Sequence, residues 1–309
     1  FIHKRDGIPT SKDSIFLTDG ASKAAQSVLR LLIANDKDTV LLPIPQYPLY
    51  SATVTFFGAK QLGYYLDEKA NWQLNREMLQ KSLAQGKNQG LKARGLVVIN
   101  PGNPTGSVLN YDNISMIIDF AAKNDLTLIA DEVYQDNIYL ENARFTSFAK
   151  VLTDLKVEDV TLFSLHSVSK GYLGECGHRG GYVECRNLPK DVAEQMLKLQ
   201  SVSLCSNLPG QIMTYLMVKP PEFHQESFQK YQSEKQNILG ILREKAHILA
   251  NGLNTVPGIE CNVVAGAMYA FAKVKLPPNM TDSEYCLNLL EETGICVVPG
   301  SGFGQLPGT

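Results

Sequence analysis

The sequence lacks most of the patterns that settle a protein's class by inspection. No apolar run approaches the ~20 residues a membrane-spanning helix needs, so no membrane association is expected. No segment recurs at a fixed period, which argues against solenoids and propellers. The net charge is only −2 at pH 7, which gives no reason to expect nucleic acid or another polyanion as partner. The six cysteines (Cys176, Cys185, Cys205, Cys261, Cys286, Cys296) are scattered with no C-x-x-C pair, and they read as reduced thiols, not a disulfide frame. The five histidines form no H-x-x-x-H or similar set, so no metal site is expected.

What is there is an ordinary globular composition, 44% hydrophobic and 19% charged over 309 residues, enough for a large core and two domains. The chain starts on Phe1 and stops at Leu306-Pro-Gly-Thr309, just after a glycine-rich loop. It therefore reads as a piece of a longer polypeptide, from which a targeting segment could be missing.

The first half alternates between strand and helix patterns. Ser14–Thr18, Thr39–Leu42 and Lys60–Tyr65 read as strands; Lys23–Ala34 and Ser51–Phe57 read as helices. Arg94–Ile99, Leu126–Ala130 and Val160–Leu165 are continuous apolar runs, the mark of strands covered on both faces. A helix is expected from about Asp112 to Asn124, and a further strand at Gly181–Glu184. Strands alternating with helices predict an α/β fold, a mostly parallel sheet flanked by helices. From Pro189 helical segments dominate, with a long one from about Glu222 to Leu253 and turn chemistry at Asn254–Gly258. Gly266–Phe271 and Ile295–Val298 read as strands around a helix at Thr281–Thr293. The expected division is a large domain over 1–225 and a connecting helix with a smaller, truncated α/β domain over 226–309.

In an open α/β sheet, ligands collect beyond the carboxyl ends of the strands. After the first strand, Gly20-Ala-Ser22 opens a helix whose N-terminus can hold an anion, although Ser22 taken alone reads better as a plain N-cap. After the second comes Pro43-Ile-Pro-Gln-Tyr47-Pro48, a stiff turn presenting an aromatic that could simply be packed. Asn100-Pro-Gly-Asn103-Pro-Thr-Gly106 follows the fourth; its prolines restrict the backbone enough to aim Asn103. Asp131-Glu-Val-Tyr134 ends the next strand, where a carboxylate is costly unless it meets a cation or several donors. His166-Ser-Val-Ser-Lys170 follows Val160–Leu165, with Arg179 nine residues beyond the lysine. His166 and His178 adjoin this stretch and read better as structural than catalytic. An anion pocket, an aromatic plate, an aimed amide, a buried acid, a phenol, a lysine and an arginine together suit one ligand. That ligand is a phosphorylated aromatic aldehyde with a protonated ring nitrogen, pyridoxal 5'-phosphate.

These stretches, with Arg179-Gly-Gly-Tyr182, resemble in order and spacing the class I and II aminotransferases of the fold-type-I pyridoxal-phosphate superfamily. The likeness spans nearly the whole chain. Gly174-Glu-Cys-Gly177, between the lysine and the arginine, is similar to the alanine aminotransferases within it, whose lysine–arginine interval is one residue longer than in many relatives. The resemblance implies that Lys170 is the Schiff-base lysine and proton carrier and that Asp131 pairs with the pyridine nitrogen. It implies that Asn103 and Tyr134 bond the ring hydroxyl and that Tyr47 stacks on the ring. Ser167, Arg179, Ser22 and the backbone at Ala21 would hold the phosphate. It also implies a homodimer, a ping-pong transfer from L-alanine to 2-oxoglutarate through pyridoxamine phosphate, and a cytoplasmic or mitochondrial location, the cytoplasm being favoured. The arginine that binds the substrate carboxylate in the family would lie past Thr309, and a segment that helps close the site would precede Phe1. Weak or no turnover is therefore expected of these 309 residues alone.

Other readings share the same residues: an aromatic or kynurenine aminotransferase, a lyase like aminocyclopropane-carboxylate synthase, or an aminotransferase-like binding module without turnover. Substrate profiling separates the first two, and intact Lys170, Asp131 and Tyr134 argue against the third. A nicotinamide enzyme is excluded, because Gly300-Ser-Gly-Phe-Gly304 lacks the G-x-G-x-x-G spacing and Leu306-Pro-Gly does not open a helix.

Overall fold

Gly95-Leu-Val-Val-Ile99 has no polar side chain to turn toward water, so both of its faces must be covered, and the fold is built around that requirement. The computed structural model describes residues 1–305; the stretch Leu306-Pro-Gly lies outside them. Nine strands, β1 (Ile15–Thr18), β2 (Asp38–Ile44), β3 (Leu62–Tyr65), β4 (Lys92–Ile99), β5 (Thr127–Asp131), β6 (Leu162–Ser167), β7 (Gly181–Arg186), β8 (Ile259–Cys261) and β9 (Ala272–Val274), are found among the described residues. The helices are α1 (Ile2–Asp6), α2 (Ala21–Leu32), α3 (Leu49–Phe56), α4 (Arg76–Asn88), α5 (Tyr111–Lys123), α6 (Phe148–Asp154), α7 (Lys190–Ser201), α8 (Leu208–Val218), α9 (Phe228–Leu253) and α10 (Asp282–Thr293).

The first seven strands form one sheet in the order β1-β7-β6-β5-β4-β2-β3. All neighbouring pairs from β3 to β6 are parallel, while β7 runs against both β6 and β1. The expected mostly parallel α/β sheet is therefore present. Successive β4 residues feed opposite layers: Leu96 and Val98 pack with α5 and α6 residues such as Ile117 and Phe148, whereas Val97 packs with Val28, Leu29 and Tyr50. This two-sided burial explains the unbroken apolar runs.

Helix starts follow local chemistry. Asn75, Asn110 and Ser147 accept from the backbone N–H three residues on, at 2.9, 2.8 and 3.0 Å, and Thr281 with Glu284 forms a capping box. Helix α4 has no clear signature in the sequence, because glycine and polar residues blur its periodicity.

Two expected strands are not found. Gly266–Phe271 is a turn: Ala267 takes a left-handed φ of 61°, which breaks a strand. Its N–H pairs with Asn137 O at 3.0 Å, and Gly266 N with Gly106 O at 2.8 Å. The segment is thus tied to two loops of the large sheet, and β9 begins only at Ala272. Ile295–Val298 is irregular and exposed; the second sheet among the described residues holds only β8 and β9, and a strand without a neighbour leaves its ladder unmade. No helix among the described residues is long and apolar enough to cross a membrane.

Candidate active site

Register brings the motifs together. Ile99 lies opposite Asp131, and Asp131 opposite Leu165, so the loops after β4, β5 and β6 leave the same edge of the sheet. Ser167 and Thr18 are both level with Gly181, which sets the start of α2 beside the Ser167–Lys170 loop. A Cβ on Gly181 would stand 3.2 Å from Ala21 N and closer still to His166 O, so only glycine lets these backbones approach.

One cluster surrounds Asp131. Its carboxylate is buried and accepts from Tyr50 Oη at 2.7 Å and from Val133 N at 3.4 Å. Burial raises its pKa; the Tyr50 bond, the Val133 N–H and the charge of Lys170 work against that. Among the described residues no lysine or arginine forms an ion pair with it. A buried acid in this state lacks a cation. Tyr134 is buried, its hydroxyl 2.8 Å from Tyr269 Oη, and Asn103 Nδ2 donates to it at 3.3 Å. Burial first, then Tyr269 and Asp131, push the Tyr134 phenol well above its usual pKa, with Asn103 opposing. Lys170 Nζ stands 5.8 Å from the centroid of the Tyr134 ring. Asn103 sits between two cis X–Pro bonds, Asn100–Pro101 and Asn103–Pro104.

A second cluster is a cradle for an anion. Helix α2 begins at Ala21 after Gly20, and no side chain caps it; Ser22 is thus inside the first turn and is not the cap. Arg179 Nη1 donates to Ser169 Oγ at 3.2 Å and Cys176 O at 2.8 Å, and Nη2 to Asp19 O at 3.2 Å. No carboxylate among the described residues forms an ion pair with Arg179, so its charge is held in place but not neutralised, beside the positive end of a helix. A Cβ on Gly20 would collide with Nη2 of Arg179. Ser167 Oγ donates to Gly180 O at 3.1 Å and accepts Ser169 N at 3.0 Å. It braces the loop, while Ser169 is the serine that meets Arg179.

Of the residues singled out from sequence, Asn103, Asp131, Tyr134 and Lys170 gather in the first cluster, and Ala21, Ser22, Ser167 and Arg179 in the second. Tyr47 is 43% exposed and lies near Tyr50, whose phenol it helps to raise. The sequence alone assigns no role to Tyr50, Ser169 or Tyr269. Ser169 lies inside a quoted motif, one residue before Lys170, and Tyr50 lies two residues past the end of another, three after Tyr47. Tyr269 carries no local signal. His166 is buried beside Tyr182 and Phe1, and burial pushes its imidazole down to about 3. His178 pairs with Glu175 at the surface at 2.9 Å. Neither belongs to a cluster. Among the described residues no group of His, Cys, Asp and Glu could hold a metal ion.

Glu132 supplies a pH-dependent prediction. It is buried, accepts Phe148 N at 2.8 Å, and burial lifts its carboxyl to about 8 against the pull of Arg5. A carboxyl raised on folding stabilises fully below its unfolded value and loses that contribution as pH rises through the folded one. Stability should therefore fall, by on the order of a few kcal/mol, between its ordinary 4.5 and about 8. Denaturant melts across that range should show the slope, and Glu132→Gln should flatten it.

A family model described as aminotransferase class I and II matches residues 1–309. Alanine aminotransferase 2 of Panicum miliaceum is 48% identical, and alanine aminotransferase 1 of Homo sapiens 49% identical, each over 100% of this chain and 66% of the relative. The chain thus spans just under two thirds of the length of these curated relatives. Among solved structures, an alanine aminotransferase from Pyrococcus furiosus superposes with a TM-score of 0.86 at 26% identity, covering 98% of this chain and 72% of that one.

Proposed function

Because the chain belongs to the class I and II aminotransferases, we propose that its two clusters hold pyridoxal 5'-phosphate, the cofactor of that family, and that the whole protein transfers the amino group of L-alanine to 2-oxoglutarate. The observation that carries this reading is the buried, unpaired Asp131 carboxylate facing the Lys170 side of the site. A cationic ring nitrogen is the partner it lacks. The other donors fit the same group. The Arg179 guanidinium and the N–H groups of Ala21 and Ser22 suit a phosphate; Asn103 Nδ2 and the Tyr134 hydroxyl suit a ring oxygen, and exposed Tyr47 offers a face to stack on.

When bound, the cofactor supplies an electron sink for the pair left as the substrate Cα–H bond breaks. The chain supplies the rest. Lys170 is, among the described residues, the one lysine over the Tyr134 ring, and it is the group that would carry the proton from the substrate Cα to the cofactor's C4′ carbon. Asp131 holds a proton on the ring nitrogen. Tyr134, kept protonated by its surroundings, donates from its hydroxyl, and Asn103 and Tyr269 fix where that hydroxyl stands. The transfer runs in two halves, the first product leaving before the second substrate enters. The names of the two curated relatives and the Gly174-Glu-Cys-Gly177 stretch support alanine as donor.

We further assign residues 1–225 to the cofactor-holding unit and 226–309 to a second one, supported by the cluster of Leu242, Ala246, Ala250, Cys261 and Val264, to which the first unit contributes Tyr139. A homodimer is supported by Leu204, Leu208, Ile212 and Tyr215, apolar side chains left exposed on and before α8.

L-alanine added to the cofactor-loaded full-length protein should bleach the visible absorbance and release pyruvate, and 2-oxoglutarate should restore the absorbance. No change with alanine but a response to an aromatic amino acid would overturn the alanine assignment. Gly20→Ala should displace Arg179 and lose a charge-assisted bond of about 1.5–3 kcal/mol, weakening cofactor binding about 10- to 100-fold. Equilibrium titration of the cofactor-free protein reads this directly.

A further inference from the structure

Helix α9 turns toward the body of the protein a half-buried stripe that includes Tyr231, Lys235, Leu239, Leu242 and Ala246. The steps of four, four, three and four residues are those of an inward helix face. One member does not suit such a face. Lys235 is a charged side chain where leucine or methionine would pack without desolvation.

Its contacts give the reason. Lys235 Nζ donates to Asp136 Oδ1 at 3.0 Å and stands 4.1 Å from the centroid of the Tyr172 ring. One turn earlier on the same helix, Tyr231 Oη is 2.6 Å from Tyr172 Oη. Asp136 lies two residues after Tyr134, and Tyr172 two residues after Lys170. Between them Gly171, at φ 71°, has the place of its missing Cβ 3.6 Å from Asp136 Oδ2. The backbone leaving Lys170 thus lies against the carboxylate that Lys235 holds, and the next side chain is gripped by the same helix through a cation over its ring and a bond to its hydroxyl.

We propose that Lys235 and Tyr231 are positioning residues: acting through Asp136 and Tyr172, they fix the Lys170 loop so that the lysine amine stays aimed at the Asp131–Tyr134 cluster. The inference rests on the reading of Lys170 as the cofactor-bearing lysine. Their part is geometric, so losing them costs alignment at the reacting carbon more than it costs substrate binding.

The test uses the cofactor-loaded full-length protein and the variants Lys235→Met, Lys235→Arg and Tyr231→Phe. Borohydride reduction and peptide mapping identify the labelled lysine, steady-state kinetics separate kcat from KM, and hydrogen exchange follows the amides of residues 170–175. The label should fall on Lys170 in every case. In Lys235→Met, kcat should drop about 10- to 100-fold with KM for the amino donor within about twofold, the signature of misplacement. Exchange in the loop should quicken in the same variant. Lys235→Arg keeps the ion pair and the cation over the ring and should restore kcat to within about threefold of the parent. Unchanged kcat in Lys235→Met, or an arginine variant as slow as the methionine one, overturns the positioning role while leaving Lys170 labelled. A label on another lysine in the parent overturns the site reading itself. Should Lys235→Met fail to fold, Tyr231→Phe decides: a lowered kcat at constant KM with faster loop exchange supports the role, and parental values in both overturn it.

Discussion

Lys170→Ala is expected to reduce amino transfer by at least about 10⁴-fold, the upper range for a positioned general acid–base, with little change in folding stability. The amine is the only lysine nitrogen placed over the Tyr134 ring among the described residues. Lys235 cannot replace it, because its own Nζ is taken up by Asp136 and the Tyr172 ring. Lys170→Arg should be nearly as inactive, since a guanidinium cannot give up its proton near neutral pH. The Lys170 side chain makes no hydrogen bond among the described residues, so the unfolding free energy without cofactor should change by no more than a surface substitution changes it, within about ±0.5 kcal/mol. Single-turnover kinetics read the first expectation, and borohydride reduction followed by denaturing mass spectrometry reads covalent attachment. Retention of the cofactor's mass on Lys170→Ala would assign the attachment to a different lysine.

Asp131→Asn should change sign with the state of the site. Without cofactor the carboxylate is buried and unpaired among the described residues, and burial makes the folded chain hold its proton more tightly than the unfolded chain does. The raised pKa contributes stability below the unfolded carboxylate value, and the contribution is lost as pH rises through the folded one. A neutral amide of the same shape can still accept from Tyr50, so at neutral pH the cofactor-free variant should be as stable as the parent or about 1 kcal/mol more so. The advantage should widen with pH. With cofactor bound, the variant loses the negative partner of a buried cation, worth about 3–5 kcal/mol when one side of such a pair is removed. The rise in melting temperature on loading should then shrink sharply, and turnover should fall with it because the ring nitrogen no longer keeps its proton. Melts of both proteins with and without cofactor measure all four states. Equal destabilisation in both states would mean that Asp131 serves the fold rather than the cofactor.

Much of this molecule is written in short stretches of sequence. The apolar runs ending at Ile99, Ala130 and Leu165 can be stable only inside a covered sheet, and the caps at Asn110 and Ser147 act within three residues of themselves. The motifs after those strands single out Asn103, Asp131, Tyr134, Lys170 and Arg179 as candidates, because a βα loop carries its polar residues wherever its strand goes. Tertiary structure decided what those residues touch. Tyr50 reaches Asp131 across 81 positions and Tyr269 reaches Tyr134 across 135. No local spacing encodes such a distance, since the contacts exist only once strand register has brought separate loops to one edge. The same holds for the strands expected at Gly266–Phe271 and Ile295–Val298. Their residues suit a strand, but pairing requires a neighbour, and the first segment is held instead by Gly106 and Asn137. Ser169 taking the place beside Arg179 while Ser167 braces the loop is a choice between two serines that look alike in sequence. Backbone geometry made that choice, because the hydroxyl nearer Gly180 is used up closing the turn.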